Sequence, residues 1–273
     1  MSKFSLSKIS PSEHPLCKDK EKALKLTEEL QKKMYDLLYL MFAHGKHSLL
    51  IILHGIDASG KDGTVRHIFS GANPQGIKTF SFKQPTEAEA RHDFLWRCHM
   101  HTPESGQAAI FNRSYYEECL VVRVHPEILA KQKIPQELVG KHIWKERFED
   151  ITAFEKYLAR NGTVVLKFFL NVSKQEQRER FLSRLDEPAK NWKFSMADIA
   201  ERALWDDYQE AYQDMIGHTA SKDAPWHVVP ADHKWFARVV IGSAIVSALE
   251  KEAPVAEQAV VVKAAKKKKV AKV

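Results

Sequence analysis

One stretch constrains this chain more than any other. Ser48-Leu-Leu-Ile-Ile-Leu53 is a continuous apolar run, the pattern of a strand buried on both faces, as in a parallel sheet. Gly55-Ile-Asp-Ala-Ser-Gly-Lys61 follows at once, and a helical pattern then runs to about Ser70. A strand, a Gly-x-x-x-x-Gly-Lys loop and a helix in that order have a physical purpose. The glycines let the backbone curl until successive N–H groups face inward, and this nest, with the helix N-terminus, cradles phosphate oxygens. Gly55, Ala58, Ser59, Gly60, Asp62 and Gly63 are therefore read as phosphate-binding positions. Lys61 adds a point charge to the phosphates being transferred.

The rest of the chain agrees with that opening. Thr79–Phe82, Ala108–Phe111, Thr163–Leu170 and His227–Val229 read as further strands. Helical patterns fill Asp19 to about Gly45, Glu87–His99, His142–Asn161, Ser173–Leu185, Ser195–Gly217 and Trp235–Lys251. This alternation predicts an α/β fold, a three-layer sandwich with a mainly parallel central sheet. The expected organisation is an N-terminal arm at 1–18, one domain at 19–252 with a lid at about 178–200, and a disordered Lys-rich tail at 253–273.

Charge needs care. The 273 residues carry 42 basic and 35 acidic side chains. Six lysines lie from Lys263 onward with no acid among them. Without those six, 36 bases face 35 acids, and the domain is nearly neutral. A nucleic-acid partner does not follow from the net charge, and the tail has no aromatic residue on which bases could stack. At 44% hydrophobic and 28% charged residues, the chain is neither disordered nor collagenous. Cys17, Cys98 and Cys119 form no CxxC pair, which suggests free thiols in a reducing cytoplasm. No secretory signal is visible at the N-terminus, and Val239–Leu249 is too short to span a bilayer.

One departure from the usual phosphate loop is informative. The Ser or Thr whose hydroxyl binds Mg2+ ordinarily follows the lysine; here Asp62 and Gly63 follow, and Thr64 comes too late. A carboxylate inside a phosphate nest repels its ligand unless a divalent cation lies between them, which makes Asp57 a candidate metal ligand. The alternative is that Asp57 caps the loop's own amides.

Two more segments suit the same chemistry. Ile110-Phe-Asn-Arg-Ser-Tyr-Tyr-Glu-Glu118 ends a buried strand. Asn112 stands where an Asp often would, Arg113 could neutralise phosphate charge, and Glu117 could complete a metal site; the alternative is a surface loop. Arg178, Arg180 and Arg184 precede Pro188, and Lys190 and Lys193 follow it. A basic helix end leading into a basic loop suits a lid that shields charge and excludes water, although such runs usually form a solvated face. Lys83, Arg91, Arg97, Arg123 and His125 could line a long anionic substrate, and each alone reads as an ordinary surface residue.

Five ordered blocks resemble polyphosphate kinase family 2: Gly55-Ile-Asp-Ala-Ser-Gly-Lys-Asp-Gly63, His92-Asp-Phe-Leu-Trp-Arg97, Asn112-Arg-Ser-Tyr-Tyr-Glu117, Val121-Val-Arg-Val-His-Pro126 and Pro188-Ala-Lys-Asn-Trp-Lys-Phe194. The resemblance runs from about residue 20 to 250 and looks most like the class that accepts both AMP and ADP. It implies a P-loop kinase fold that moves a terminal phosphate between inorganic polyphosphate and a nucleotide with Mg2+, or Mn2+ in its place. Asp57, Lys61 and Arg113 would be catalytic. Asp57 with Asn112 or Glu117 would organise metal. Lys83, Arg123, Arg178, Arg184, Lys190 and Lys193 would hold phosphates or nucleotide. Adenine nucleotides are the expected partners, guanine nucleotides the variant, and the expected assembly is a homo-oligomer with no membrane contact. The competing readings are an ATP-dependent nucleoside monophosphate kinase and a non-enzymatic polyanion-binding protein.

Overall fold

The structure, a computed structural model, describes residues 4–252. The expected Lys-rich tail lies outside the described residues. Five strands form one sheet in the order β2-β3-β1-β4-β5, and every pairing is parallel. They are β1 (Ser48–His54), β2 (Ile77–Ser81), β3 (Ala108–Asn112), β4 (Thr163–Asn171) and β5 (Trp226–Pro230).

All seven residues of β1 are buried, as a central parallel strand with helices on both faces requires. Its side chains alternate between two cores. Leu49, Ile51 and Leu53 pack with Met34 and Met41 of α1 (Lys20–His44), Ile68 of α2 (Lys61–Ile68) and Ile241 and Ile245 of α10 (Lys234–Lys251). Leu50 and Ile52 pack on the other face, with Phe148 and Ile151 of α6 (Ile143–Arg160) and Tyr212 and Met215 of α9 (Trp205–Thr219). Three layers result, and the phosphate loop emerges from the middle of the sheet at its C-terminal edge, where open α/β sheets bind ligands.

The expected helix at 87–99 is broken. A 3-10 turn spans Glu89–Arg91, His92 is extended, and α3 covers only Trp96–His99. Asp93 causes the break: its carboxylate accepts the amides of Leu95 and Trp96 at 2.9 and 3.2 Å and starts a new turn. Two short helices, α4 (Val121–Val124) and α5 (Pro126–Leu129), follow β3. The expected helix at 195–217 is two, α8 (Met196–Ala203) and α9, parted at Leu204. The halves answer to different neighbours: α9 buries Ala211, Tyr212, Met215 and Ile216, whereas α8 buries nothing. α8 lies in and beyond the segment expected as a lid, with the C-terminal end of α7 (Lys174–Asp186) and the 3-10 turn at Pro188–Lys193.

The N-terminal segment lies against the domain. Leu6 is buried, and its amide donates to Gln213 Oε1. Ile9 O accepts from Asn171 Nδ2, and Pro11 O from the Asp232 amide, at 3.0 and 3.1 Å. No helix among the described residues is long and apolar enough to cross a membrane.

Candidate active site

The loop between β1 and α2 adopts backbone conformations that favour glycine. Gly55 has φ +153°, and a Cβ there would lie 2.6 Å from Ser59 Oγ and 2.9 Å from Leu170 O. Gly60 has φ +103°, and Ala58 enters the left-handed region at 61°. The Ser59 amide closes a turn onto Ile56 O at 3.1 Å.

What faces away from the ligand side is as specific. Gln177 Nε2 donates to Asp57 O at 3.0 Å. Arg180 Nη1 donates to Ala58 O and Ser59 O at 2.9 and 2.8 Å. Its Nη2 donates to Ala231 O and Asp232 O, and its Nε to Glu176. Three successive loop carbonyls are thus tied to α7, so the amides of the loop turn the other way. The amides of Asp57, Ala58 and Gly60 donate to no acceptor among the described residues, so this nest can present them to an anion.

Lys61 is buried and folds back over the loop. Its Nζ donates to Gly55 O at 2.6 Å, Ile56 O at 3.2 Å and Ser59 Oγ at 3.4 Å. Burial, and then the neighbouring Arg113, lower its amine to about 8, against the pull of Asp57, Glu117 and Asp62.

The end of β3 closes the site. Leu53 and Asn112 are in register across β1 and β3, and the Arg113 amide donates to Leu53 O at 3.0 Å. Arg113 Nη2 donates to Asp57 Oδ1 at 2.9 Å, and Nη1 lies 3.6 Å from Glu117 Oε2. Asp57 therefore does not cap its own loop; its carboxylate meets a cation. Asn112 Nδ2 donates to Asp62 Oδ1 at 2.6 Å. Nor is this segment a surface loop, because Ser114, Tyr115 and Tyr116 are buried. Burial raises the Glu117 carboxyl against the attraction of Arg113.

His54, the polar residue that closes β1, is fully buried. Its Nε2 bonds Ser114 Oγ at 2.9 Å, while Nδ1 is unpartnered and 3.4 Å from Glu117 Oε1. Burial, then Lys61 and Arg113, hold the imidazole neutral.

The oxygen donors fit a hard divalent cation in part. The Arg113 guanidinium already bridges Asp57 and Glu117, so a positive charge has a place between these carboxylates. No group of three or more His, Cys, Asp or Glu among the described residues could hold a metal by itself. Mg2+ suits such a site, since it keeps several waters and takes one or two carboxylates plus substrate phosphates.

The basic residues of the expected lid are distributed unevenly. Arg184 pairs with Asp198 of α8 at 2.7 Å and Lys190 with Glu187 at 2.6 Å. Burial and the charge of Asp57 raise the Asp198 carboxyl, which marks α8 as near the loop. Lys193 alone reaches the loop's helix, 3.7 Å from Asp62. Arg178 and Lys83 are exposed, and Lys83 O accepts from Arg97 at 2.6 Å. Arg123 is committed elsewhere: it pairs with Asp214 of α9 at 2.8 Å, with Glu210 at 3.9 Å. The sequence reading missed His54 and Gln177 as parts of the site and put Arg180 in the lid. Only Arg180 carried a signal, its i,i+4 spacing to Arg184, and that spacing does not show that it points beneath the loop.

Known proteins resemble this chain in sequence and fold. Residues 17–257 match the family described as Polyphosphate kinase 2 (PPK2). An ADP-polyphosphate phosphotransferase of Rhodopseudomonas palustris is 47% identical over 249 residues, covering 91% of this chain and 86% of that protein. An AMP/ADP-polyphosphate phosphotransferase of Meiothermus ruber is 43% identical over 249 residues, covering 91% and 89%. The crystal structure of polyphosphate kinase 2 from Arthrobacter aurescens superposes with a TM-score of 0.86 at 36% identity, covering 96% of this chain and 94% of that one.

Proposed function

The chain belongs to the polyphosphate kinase 2 family, and we propose that it moves the terminal phosphate of inorganic polyphosphate to AMP or ADP, reversibly, at the loop of residues 55–63. The observation that carries this reading is the orientation of that loop. Gln177 and Arg180 hold its carbonyls, the amides of Asp57, Ala58 and Gly60 are left for phosphate, Lys61 and Arg113 stand against the same loop, and no hydroxyl directly follows the lysine. Such a site offers charge to phosphates and nothing to a base.

Phosphoryl transfer needs in-line placement and neutralisation of spread negative charge rather than covalent help. The loop amides fix the donor phosphates. Lys61 swings from the loop carbonyls to the transferring group, and Arg113 moves from Asp57 to the phosphate oxygens. Asp57 and Glu117, with the Asn112 carbonyl oxygen, would hold Mg2+, which when bound neutralises phosphate charge. The lid supplies Lys193 and excludes water. Adenine nucleotides are the proposed acceptors, with guanine nucleotides as the variant, and the cytoplasm is the proposed compartment.

The test is ATP formation from ADP, Mg2+ and long-chain polyphosphate, with AMP as second acceptor and ADP alone as control for disproportionation. ATP that depends on polyphosphate is expected. Phosphate transfer only from ATP to a monophosphate would instead favour a nucleoside monophosphate kinase. A chain ending at Glu252 should keep its turnover; loss of activity there would favour a polyanion-binding role for the tail.

A further inference from the structure

Among the described residues, Arg66, Lys234 and Arg238 pair with no carboxylate. They lie on two helices that pack together, α2 and α10. Lys234 and Arg238 are four residues apart and share one face of α10. Arg238 lines a shallow groove with Ile68 of α2, close to Arg66. Lys234 follows Ala231 and Asp232, whose carbonyls receive Arg180 Nη2, and Arg180 Nη1 holds the phosphate loop. Lys234 therefore lies just beyond the underside of the phosphate loop, and Arg238 follows one turn along α10, next to α2. Arg66 and Lys234 are exposed and Arg238 is half-buried.

The fold bears a cost for this arrangement. The first turn of α10 has no acid and no side-chain cap, although cations there oppose the helix dipole. Burial first, then Arg180, Lys190 and, least, Arg238 hold the Lys234 amine below its ordinary range, and burial, then Arg66, does the same to Arg238. The nearest acids are occupied, Glu176 by Arg180 and Glu187 by Lys190 and Ser183. Three like charges held together with their counterions withheld are what an extended polyanion neutralises.

We propose that Arg66, Lys234 and Arg238 form a distal polyphosphate-binding subsite that holds phosphates of the donor chain remote from the one being transferred. The proposal rests on the reading of the donor as polyphosphate. A short donor ends before it reaches α10 and α2, whereas a long one is anchored there, so the subsite confers a preference for chain length.

The experiment compares the unmodified chain with the triple variant Arg66→Gln/Lys234→Gln/Arg238→Gln, using long-chain polyphosphate and tripolyphosphate as donors. The KM for the long donor should rise roughly tenfold with kcat unchanged. The KM for tripolyphosphate should hold within about twofold, an interval well below that tenfold shift. The slope of log affinity against log salt for the long donor should fall by about 2, the release expected from three lost contacts. Unchanged KM values, or equal rises for both donors, would overturn the subsite. So would a single-stranded oligonucleotide that competes as well as polyphosphate does. Should the triple variant lose its circular dichroism, Arg66→Gln and Lys234→Gln, both at exposed positions, are measured singly, each with a rise of about twofold expected. If the unmodified chain makes ATP from neither donor, the proposed reaction fails. Equilibrium binding of long-chain polyphosphate to the unmodified and triple-variant chains then decides the subsite alone.

Discussion

Arg113 holds Asp57 from a backbone conformation that arginine seldom adopts: its φ is 65°, and its Nη2 lies 2.9 Å from Asp57 Oδ1. The left-handed region costs a residue with a Cβ about 1–2 kcal/mol, and the fold accepts that cost at the end of β3. Arg113→Gly should relieve it, and the two lost ion pairs, to Asp57 at 29% exposed and to Glu117 at 17%, offset part of the gain. The thermal midpoint should hold or rise while turnover falls about 10³-fold, the loss expected for an arginine on a transferring phosphoryl group. Arg113→Lys keeps the charge without the planar fork and should recover only part. Near-normal turnover in Arg113→Gly would remove this residue from the reaction.

Lys61 sets a basic limb. In the free chain its amine is lowered to about 8 from an ordinary 10.5, burial being the largest cause. The protonated form carries the charge that phosphates need. kcat/KM, which reports groups of the free enzyme, should therefore fall as pH rises through about 8. Stability runs the other way. Between about 8 and 10.5 the unfolded chain keeps a proton that the folded chain has released, so the burden of this lysine is full below that window and eases across it. Lys61→Met should lose transfer and also flatten stability against pH in the window. A kcat/KM profile level to pH 10 would contradict the assignment.

How legible this site was depends on what each residue answers to. Asp57, Lys61, Asn112, Arg113 and Glu117 were visible because the chain brackets them with buried strands, and strand ends in a parallel sheet converge on one edge. Lys193 could be placed in a lid because Pro188 ends a basic helix. Arg123 looked equivalent to these and is not: its partner, Asp214, lies 91 residues away on α9, and no local pattern announces such a pair. Arg180 looked like a lid residue, yet it points under the loop, because Ala231 and Asp232 arrive from the end of β5 to receive it. The break at Asp93 has a local cause, an Asp that offers its carboxylate to the amides two and three residues on, and the reading of one helix over 87–99 passed over it. The split at Leu204 was not, because only the packing of α9 against the sheet, and its absence in α8, separates the two helices.

Arg180 is a positioning residue whose N–H groups are spent on four carbonyls and one carboxylate. Arg180→Met leaves those carbonyls unpaired in a buried place, at about 1–3 kcal/mol for each left unsatisfied. Stability should drop, and at a temperature where the variant is still folded its affinity for polyphosphate without nucleotide should be at least about tenfold weaker. Arg180→Lys should rescue little, because an ammonium cannot reproduce the fork. A variant that loses stability and keeps its affinity would show that the clamp supports the fold and leaves the nest intact.

Behind the site sits a buried ion pair that the reaction does not touch. Lys167 of β4 donates to Glu155 Oε2 at 2.6 Å, to Tyr116 OH at 2.8 Å and to Thr219 O at 2.9 Å, so all three of its protons are used. Tyr115 and Tyr116 both donate to Glu155 Oε1 at 2.9 Å. Lys167 and Glu155 are 0% and 1% exposed. Removing one partner strands a buried charge, so Lys167→Met and Glu155→Gln should each cost about 3–5 kcal/mol in urea unfolding. The double variant should cost less than the sum of the two, since it leaves no stranded charge and the strong coupling is lost once. The effect should reach the site as well, because Tyr116 shares its turn with Ser114 and Glu117, and Ser114 carries His54. Each single variant is therefore expected to weaken turnover while folded, with the double variant recovering stability ahead of activity. Singles that cost under about 1 kcal/mol would mean that water reaches the pair, which would then behave as a surface bridge.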